Sequence, residues 1–285
     1  MKKKILLIDG CNLLFQMFFG MPAHIYNDQG IGIWGVLGFV GALLKIIRQV
    51  NPTHVAVLFD GEHENERTSI DSNYKANRID YDNVAEEENP FSQLPYIYNA
   101  LEFMNIAFAE TVNCEADDWI ASYVHVYGKG NDCTNEIIIS SFDSDFFQLI
   151  SDNISILRYR GDKSVLCTPA YSQEKFGIHP CQYADFKSLT GDTADNIPGA
   201  KKVGPKTASA LIGEFGSLEN LLQNADSIKK PSIRESIKSD RERLLRNYEL
   251  IKLEAKNDIP FQLDEMEYTD TGITTTEVLK GIGLK

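Results

Sequence analysis

Residues 4–10, KILLIDG, place an unbroken apolar run directly before an aspartate. Two later runs have the same form, HVAVLF at 54–59 and EIIIS at 136–140. Each has the length of a buried strand, and each ends within a few residues of an aspartate. Helix-length amphipathic segments separate the runs, which is typical of βαβ units. The chain is therefore predicted to have an α/β fold with a mostly parallel central sheet.

Acidic residues are concentrated where these strands are expected to end, and the carboxyl ends of parallel strands meet at one crevice. Three more acids occur in CEADDWIASYV, where an acidic first turn suits a helix dipole but three acids exceed what a cap requires. Spacings of i, i+2 in FDSDF and of i, i+3 in GDTADN align two further pairs. The full set is Asp9, Asp60, Glu115, Asp117, Asp118, Asp143, Asp145, Asp192 and Asp195.

Nine carboxylates in one pocket would repel each other strongly unless a cation lay among them. Oxygen ligands without a matching His or Cys cluster suit a hard divalent ion such as Mg²⁺ or Mn²⁺, which keeps open positions for phosphate. The acidic set therefore predicts a metal-dependent phosphodiester enzyme.

Composition excludes several classes of protein. The 285 residues are 43% hydrophobic, which suffices for one large or two modest domains, and no stretch approaches a membrane span. The five cysteines lack any CxxC spacing, so neither a disulfide framework nor a zinc site is indicated, and we expect a cytoplasmic protein. The net charge of −13 argues against a nucleic-acid partner only if the basic residues are spread evenly.

A long polar stretch at 61–92 follows the second strand and contains Arg67, Tyr74, Lys75 and Arg78. Composition alone favours a solvated surface loop. A connection of this length within a compact domain is usually functional or disordered. Because the segment follows Asp60, we expect it to lie over the crevice. We therefore favour a functional segment.

After about residue 160 the strand-like runs give way to shorter helical segments, at 170–176, 180–189, 205–213, 217–223 and 232–253. We place a boundary near 160–178, which gives a sheet-containing domain at 1–170 and a helical region at 171–285. The tail 258–285 is less periodic and is expected to pack back onto the body.

Segment 191–212, GDTADNIPGAKKVGPKTASALI, carries a second pattern. Gly199 and Gly204 permit a tight hairpin, and Pro205 suits the first turn of a following helix. Lys206 and Thr207 then lie where a phosphate could meet backbone amides, with Lys201 and Lys202 adding charge. The alternative is a helix-turn-helix packing element with exposed lysines.

Six motifs occur in an order that resembles one known family: LLIDG at 6–10, Asp60 after VAVLF, YKANR at 74–78, EADD at 115–118, DSDFFQL at 143–149, and GDTADNIPG leading into VGPKTA at 191–208. Together they resemble the 5′-nuclease family, which includes bacterial and phage flap endonucleases and the 5′-nuclease domain of bacterial DNA polymerase I. The resemblance covers about residues 4–253.

The resemblance implies a PIN-like sheet flanked by helices, a helical arch at about 61–92, and a helix-hairpin-helix at 191–212. It assigns the nine acids to metal sites, Lys75 and Arg78 to catalysis, and Arg67 and Tyr74 to an arch that passes a single-stranded 5′ end. The implied contacts with duplex DNA are Gly199, Lys201, Lys202, Val203, Gly204, Lys206 and Thr207. A monovalent cation such as K⁺ at the hairpin is also implied.

The activity implied is that of a 5′-3′ exonuclease or flap endonuclease acting through two divalent ions about 4 Å apart. Asp9, Asp60, Glu115 and Asp117 would form the tighter site, with Asp143, Asp145, Asp192 and Asp195 supporting a second, partly through water. The expected partner is DNA with a 5′ flap, a nick or a free 5′ end, without a membrane, bound by a monomeric, stand-alone nuclease. The alternatives are a PIN-type ribonuclease and a non-catalytic protein that binds DNA junctions.

Three positions depart from the family pattern. Gln16 replaces a common Arg, Ser144 replaces a basic residue between two aspartates, and Lys202 replaces a hairpin Gly. None of these changes removes a metal-site acid, so catalysis is expected to be retained.

Overall fold

A six-stranded sheet forms the centre of the protein. The structure is a computed structural model that describes residues 2–61, 66–81, 83–129, 135–255 and 258–285. Part of the expected arch, residues 62–65 and 82, and Cys133 lie outside the described residues. The strands are β1 (Lys4–Asp9), β2 (His54–Phe59), β3 (Ala107–Glu110), β4 (Glu136–Ser140), β5 (Ile154–Arg158) and β6 (Val165–Cys167). Their order is β3-β2-β1-β4-β5-β6, and all neighbouring pairs are parallel except β5 with β6.

The apolar run of β1 lies between two cores because successive side chains of a strand point to opposite faces. Leu6 and Ile8 pack into a core with α1 (Gly10–Gly20), α2 (Trp34–Val50) and α4 (Leu94–Phe103). Ile5 and Leu7 face the other core, which includes α5 (Ala116–Gly128) and several later helices. Burial on both faces explains why the run is uninterrupted. The predicted α/β class with a mostly parallel sheet is confirmed.

The segment between β2 and α4 contains less helix than an arch suggests. Its described part holds the short helix α3 (Glu66–Ile70), turns over 72–77, and single 3₁₀ turns at Glu86–Glu88 and Pro90–Gln93. Lys75 has a φ of 56°, in the left-handed region. In this turn the Lys75 amide donates to Asp195 O at 3.0 Å, which ties the turn to segment 191–198.

The later helices pack against the Ile5 and Leu7 face of the sheet. They are α6 (Pro169–Phe176), α7 (Tyr183–Thr190), α8 (Pro205–Phe215), α9 (Leu218–Gln223), α10 (Pro231–Ser239) and α11 (Arg241–Ile251). A two-stranded hairpin, β7 (Gly191–Asp192) with β8 (Ile197–Pro198), lies between α7 and α8. The segment expected at 232–253 is two helices that meet at Asp240, whose carboxylate accepts from the Lys201 amide at 3.3 Å.

The C-terminal tail ends in α12 (Thr275–Gly281), which packs against α2 and α4 rather than against the other late helices. A capping box formed by Thr274 and Glu277 begins this helix. Among the described residues, none of the helices combines the length and apolarity that a membrane crossing requires.

Candidate active site

The carboxyl ends of β1, β2 and β4 open into one pocket of about 500 Å³. Asp9 ends β1, Asp60 follows β2, Asp143 follows β4, and Asp117 lies in the first turn of α5. All four line this pocket. The parallel sheet therefore brings together four of the nine predicted acids.

Hydrogen bonds orient two of these carboxylates, Asp9 and Asp60. Asp9 accepts from the Asn12 amide at 3.0 Å and from Ser141 Oγ at 2.7 Å. Asp60 Oδ1 accepts from the Ala116 amide at 2.8 Å, which ties the end of β2 to the start of α5. The arrangement is preorganised, because each bond uses a backbone or neighbouring group rather than a flexible chain.

Within this pocket, burial and the neighbouring carboxylates disfavour the charged forms of Asp9 and Asp117. Burial raises the pKa of Asp9 to about 7, with Asp60 and Asp143 adding repulsion. Burial and the neighbouring carboxylates raise the pKa of Asp117 well above its ordinary value. Crowded, buried oxygen donors fit a hard divalent ion, so the residues present match the metal chemistry expected from the sequence.

A second acidic group lies beside the pocket. Carboxylate oxygens of Asp145, Asp192 and Asp195 lie within 4.8 Å of one another. Lys187, a buried lysine of α7, contacts Asp145 and lies 2.5 Å from Asp192. Burial would lower the pKa of Lys187, but Asp145 and its neighbours outweigh burial and raise it. The ammonium group therefore stays charged and partly neutralises this group.

Lys187 was not identified from the sequence. The available signal was a lysine within the apolar stripe of a predicted helix, five residues before Asp192. Its Nζ also donates to Ser144 Oγ at 3.1 Å. Lys187 thus supplies positive charge next to the position where Ser144 replaces the family's basic residue. Gln16, the other charge-removing departure, donates to Tyr159 O at 2.7 Å.

Arg67 and Tyr74, expected to contact a single strand, are instead buried. Each residue is 6% exposed. Arg67 bonds Glu115 at 2.8 Å and Asp118 at 2.9 Å, and the Tyr74 hydroxyl donates to Glu115 at 3.3 Å. Two buried acids need a cation between them, which explains why Arg67 is drawn inward. In this conformation neither side chain can reach a DNA strand.

Asp118 also differs from expectation. Both of its carboxylate oxygens bond Arg67, and Oδ1 accepts from the Glu254 amide at 3.0 Å. It therefore lies behind the pocket rather than in it. Glu115 bonds Arg67, as Asp118 does, and also contacts Lys75. Burial opposes ionisation of the Glu115 carboxyl group, but Lys75 and Arg67 outweigh burial and lower its pKa.

The two predicted catalytic cations do line the pocket. Lys75 Nζ contacts the Glu115 carboxylate, and Arg78 bonds Asp195 Oδ1 at 2.7 Å. Each is therefore held by an acid of the set, at the rim of the space enclosed by Asp9 and Asp60. A phosphate in that space would lie within reach of both cations.

The segment that links β8 to α8 presents an exposed basic surface, which includes Lys201 and Lys202 of the turn at 199–204 and Lys206 in the first turn of α8. The turn at 199–204 is called the basic hairpin. A side chain at Gly199 would place its Cβ 2.4 Å from Thr190 O, so only glycine allows the close approach of the two chain segments. Lys202 has a φ of 65°, which shows that it occupies a position suited to the glycine common in the family.

Val203, expected to contact DNA, has its side chain in the hydrophobic core. Only its backbone is available at this surface. Thr207 is half-buried in the first turn of α8, where its amide donates to Gly204 O at 3.0 Å.

Comparison with family models matches nearly the whole chain. Residues 4–177 match the N-terminal resolvase-like domain of 5′-3′ exonucleases, and residues 178–273 match the C-terminal SAM fold of 5′-3′ exonucleases.

Curated relatives include thermostable DNA polymerase I from Thermus thermophilus, 35% identical over 263 residues that are 92% of this chain and 30% of the relative. DNA polymerase I from Lactococcus lactis is 33% identical over 269 residues, 93% of this chain and 30% of the relative. The chain thus spans about 30% of the length of these relatives.

Solved structures share the fold. T5 5′-exonuclease with bound zinc ions aligns at a TM-score of 0.70 and 22% identity, covering 88% of this chain and 90% of that one. The catalytic core of Rad2 in complex with DNA substrate aligns at 0.60 and 16% identity, covering 99% and 93%.

Proposed function

This chain belongs to the 5′-3′ exonuclease family, and we propose that it hydrolyses DNA phosphodiester bonds near single-strand/double-strand junctions, as a 5′-3′ exonuclease and flap endonuclease. The observation that supports this most is the pocket in which three strand-end acids and Asp117 of α5 face Lys75 and Arg78. The same pocket thus contains carboxylates that could bind divalent ions and basic side chains that could bind a phosphate.

Eight of the nine predicted acids remain candidates for holding divalent ions. Asp9, Asp60 and Asp117 offer pocket-facing carboxylates near one another, whereas Glu115 can join them only by giving up Lys75. Asp143, Asp145, Asp192 and Asp195 form the candidates for a second ion. Asp118 is not a candidate metal ligand, because its carboxylate oxygens accept hydrogen bonds from Arg67 and from the Glu254 amide. Bound Mg²⁺ or Mn²⁺ would supply Lewis-acid activation of water and stabilisation of the leaving oxygen.

The protein's own cations would hold the scissile phosphate. Lys75 and Arg78 lie at the rim of the acidic pocket, so they could pair with phosphate oxygens as charge develops on them. Both now pair with acids, and a phosphate would have to exchange with Glu115 and Asp195. Positive charge at the rim also offsets the repulsion that the acids exert on a DNA backbone.

An aromatic wall lines the mouth of the same pocket. Phe15, Tyr81 and Phe91 pack edge to face, with ring centroids 5.4 to 5.6 Å apart. Ile79, 66% exposed, adds apolar surface beside them. Aromatic side chains at such a mouth can stack unpaired bases without reading their sequence. This wall favours a frayed or single-stranded end next to the phosphate.

The hairpin at 199–204 would bind the duplex part of the substrate. Its exposed lysines meet phosphates without base contacts, and the overall negative charge does not prevent this because binding depends on the local surface. We propose that residues 1–170 form the catalytic part and 171–285 the duplex-binding part, with α12 packed on the catalytic part.

A substrate panel tests this function. Labelled 5′-flap DNA, nicked duplex and single-stranded RNA are incubated with saturating protein and Mg²⁺, and product lengths are read at nucleotide resolution. We expect cleavage of the flap at the junction and stepwise release from the nick. Cleavage of the RNA alone would identify a PIN-type ribonuclease, and binding of the flap without cleavage would identify a junction-binding protein.

A further inference from the structure

The C-terminal end of α11 is held by two side chains whose neighbours belong to the acidic set, Arg67 and Gln148. The last carbonyls of an α-helix have no partner within the helix. Here Arg67 Nε donates to Leu250 O and Gln148 Nε2 donates to Ile251 O, both at 3.0 Å. Gln148 Oε1 also accepts from the Leu253 amide at 3.0 Å. One glutamine therefore holds both the end of the helix and the chain that leaves it.

Gln148 is attached closely to the acidic set. It lies in the single 3₁₀ turn Asp145–Leu149, three residues after Asp145. Within this turn Gln148 is flanked by buried Phe147 and Leu149, and the turn starts with the Asp145 amide donating to Asp143 Oδ1 at 2.8 Å. Gln148 was part of the DSDFFQL motif, but nothing in the proposed chemistry uses it.

The other end of α11 holds the hairpin. Arg243 donates to Gly199 O at 3.1 Å, and Asn247 donates to Pro198 O at 2.9 Å and Ser188 O at 3.1 Å. Asn247 is 2% exposed, so its amide group is committed to these carbonyls. From Arg243 to Ile251 the helix rises about 12 Å, at roughly 1.5 Å per residue. One rigid helix thus connects the basic hairpin to the turn that carries Asp145.

We propose that Gln148 is a positioning residue that fixes where the DNA is cut. By holding the end of α11 against the Asp145 turn, it sets the distance between the hairpin that grips duplex phosphates and the acids at which a phosphate is hydrolysed. This proposal rests on the proposed function. A fixed distance selects one phosphodiester bond, and a loosened anchor lets neighbouring bonds reach the acids.

A purely stabilising role for Gln148 makes a different prediction. Loss of a helix-end hydrogen bond would then lower the unfolding midpoint and the amount of active protein, while the remaining molecules would cut at the same bond. The position of the cut therefore separates the two roles, because protein concentration and folding yield do not move it.

The test compares Gln148→Met with a matched control. Methionine keeps the length of the side chain and removes both hydrogen bonds. Gln182 makes the same pair of bonds elsewhere: Nε2 donates to Gly216 O at 2.8 Å at the end of α8, and Oε1 accepts from the His179 amide at 3.1 Å. Gln182→Met therefore removes equivalent bonds at a helix end away from the acids. A second variant, Gln148→Asn, keeps both polar groups one methylene shorter.

Single-turnover cleavage of a 5′-flap is followed at nucleotide resolution, with thermal unfolding and duplex affinity measured in parallel. For Gln148→Met we expect the fraction of products one nucleotide from the main site to rise by at least about fivefold, the factor that corresponds to the net contribution of one of its two hydrogen bonds. Gln148→Asn should shift in the same direction, Gln182→Met should match wild type, and duplex affinity should change less than twofold, as roughly expected when no phosphate contact is lost.

An unchanged product distribution in a folded Gln148→Met or Gln148→Asn protein would overturn the proposal, whatever the rate. A similar spread in Gln182→Met would also overturn it, because a general loss of rigidity would then be the cause. If wild type leaves the flap intact, it is the proposed function that fails.

Discussion

At the scale of single residues, each basic side chain of the site is paired with an acid, and Lys75 gives the most direct test of its role. It contacts Glu115 and lines the pocket with Asp9 and Asp60. If Lys75 clamps the scissile phosphate, Lys75→Ala should lower single-turnover flap cleavage by roughly 10²-fold, the scale for one preorganised electrostatic group. Lys45, exposed on α2, provides the control substitution Lys45→Ala. A loss below about threefold, under 1 kcal/mol of barrier, would remove Lys75 from the catalytic set.

A second residue-scale prediction concerns His54, at the amino end of β2 and far from the pocket acids along the strand. It is 4% exposed, and Nε2 has no hydrogen-bond partner among the described residues. Burial lowers the pKa of His54 below 6.5, and the positive charge of Lys3 lowers it further. Glu267 acts in the opposite direction but does not outweigh them. Below pH 6.5 the unfolded chain gains a proton that the folded chain does not, so stability is lost as pH falls.

Unfolding midpoints measured from pH 7.5 to 5.5 check this. Wild type should lose more stability over that range than His54→Gln, which has no titrating group at the site. Parallel curves for the two proteins would show that His54 does not titrate differently in the folded and unfolded chains.

At the scale of secondary-structure elements, Arg67 joins α3 to the start of α5 and the end of α11. Arg67→Met should leave Asp118 without its cation and Glu115 with Lys75 alone, and destabilise the protein by about 3 kcal/mol or more, the usual result of breaking a buried ion pair. Urea denaturation provides the measurement. If Arg67 were a DNA contact at an open arch, the same variant would keep its stability and lose affinity for the flap.

The hairpin gives a prediction in the opposite direction. Lys202 has a positive φ, whereas Lys201 beside it does not. Lys202→Gly should raise the free energy of unfolding by about 1 kcal/mol, because glycine adopts this conformation without strain. The same change should reduce the slope of log K against log salt for duplex binding by about one, for one lost phosphate contact.

Lys201→Gly serves as the control for the backbone effect. It removes an equivalent charge at a position without a positive φ, so it should flatten the salt dependence without stabilising the protein. Stabilisation by both substitutions would point to relief of charge repulsion rather than of backbone strain.

The sequence predicts elements well where one physical signal dominates. The runs at 4–8, 54–59 and 136–140 are strands because continuous apolar sequence must be buried on both faces. Once they are parallel, Asp9, Asp60 and Asp143 have to meet. The edge strand β3, AFAE, was not predicted, because it is short and only half-buried. The break between α10 and α11 was missed because it depends on the contact between Asp240 and the hairpin.

Site details set by tertiary contacts could not be predicted in this way. The family resemblance assigns Arg67 to DNA and Asp118 to metal, but their pairing with each other depends on the distance between α3 and α5. Lys187 has no spacing that marks it as a partner of Asp145. A motif identifies the residue types that a site uses, and only the fold decides which acid faces a cation and which faces the pocket.

At the scale of the whole molecule, α11 connects the basic hairpin to the Asp145 turn, which lies beside the acidic pocket at the carboxyl ends of the parallel strands. The central claim is that the pocket acids hold divalent ions for phosphodiester hydrolysis. Asp117 is the acid that tests it most directly, because it is buried among carboxylates and lines the pocket between α5 and the strand ends.

The measurement is single-turnover cleavage of a 5′-flap with Mg²⁺, with Mn²⁺ and with excess EDTA, for wild type and Asp117→Ala, alongside flap affinity in Ca²⁺. We expect cleavage only with Mg²⁺ or Mn²⁺, products with 5′-phosphate ends, and an Asp117→Ala protein whose rate falls by at least about 10²-fold while its affinity changes little. Undiminished cleavage by wild type in EDTA, or an Asp117→Ala protein that cuts as fast as wild type, would contradict the account.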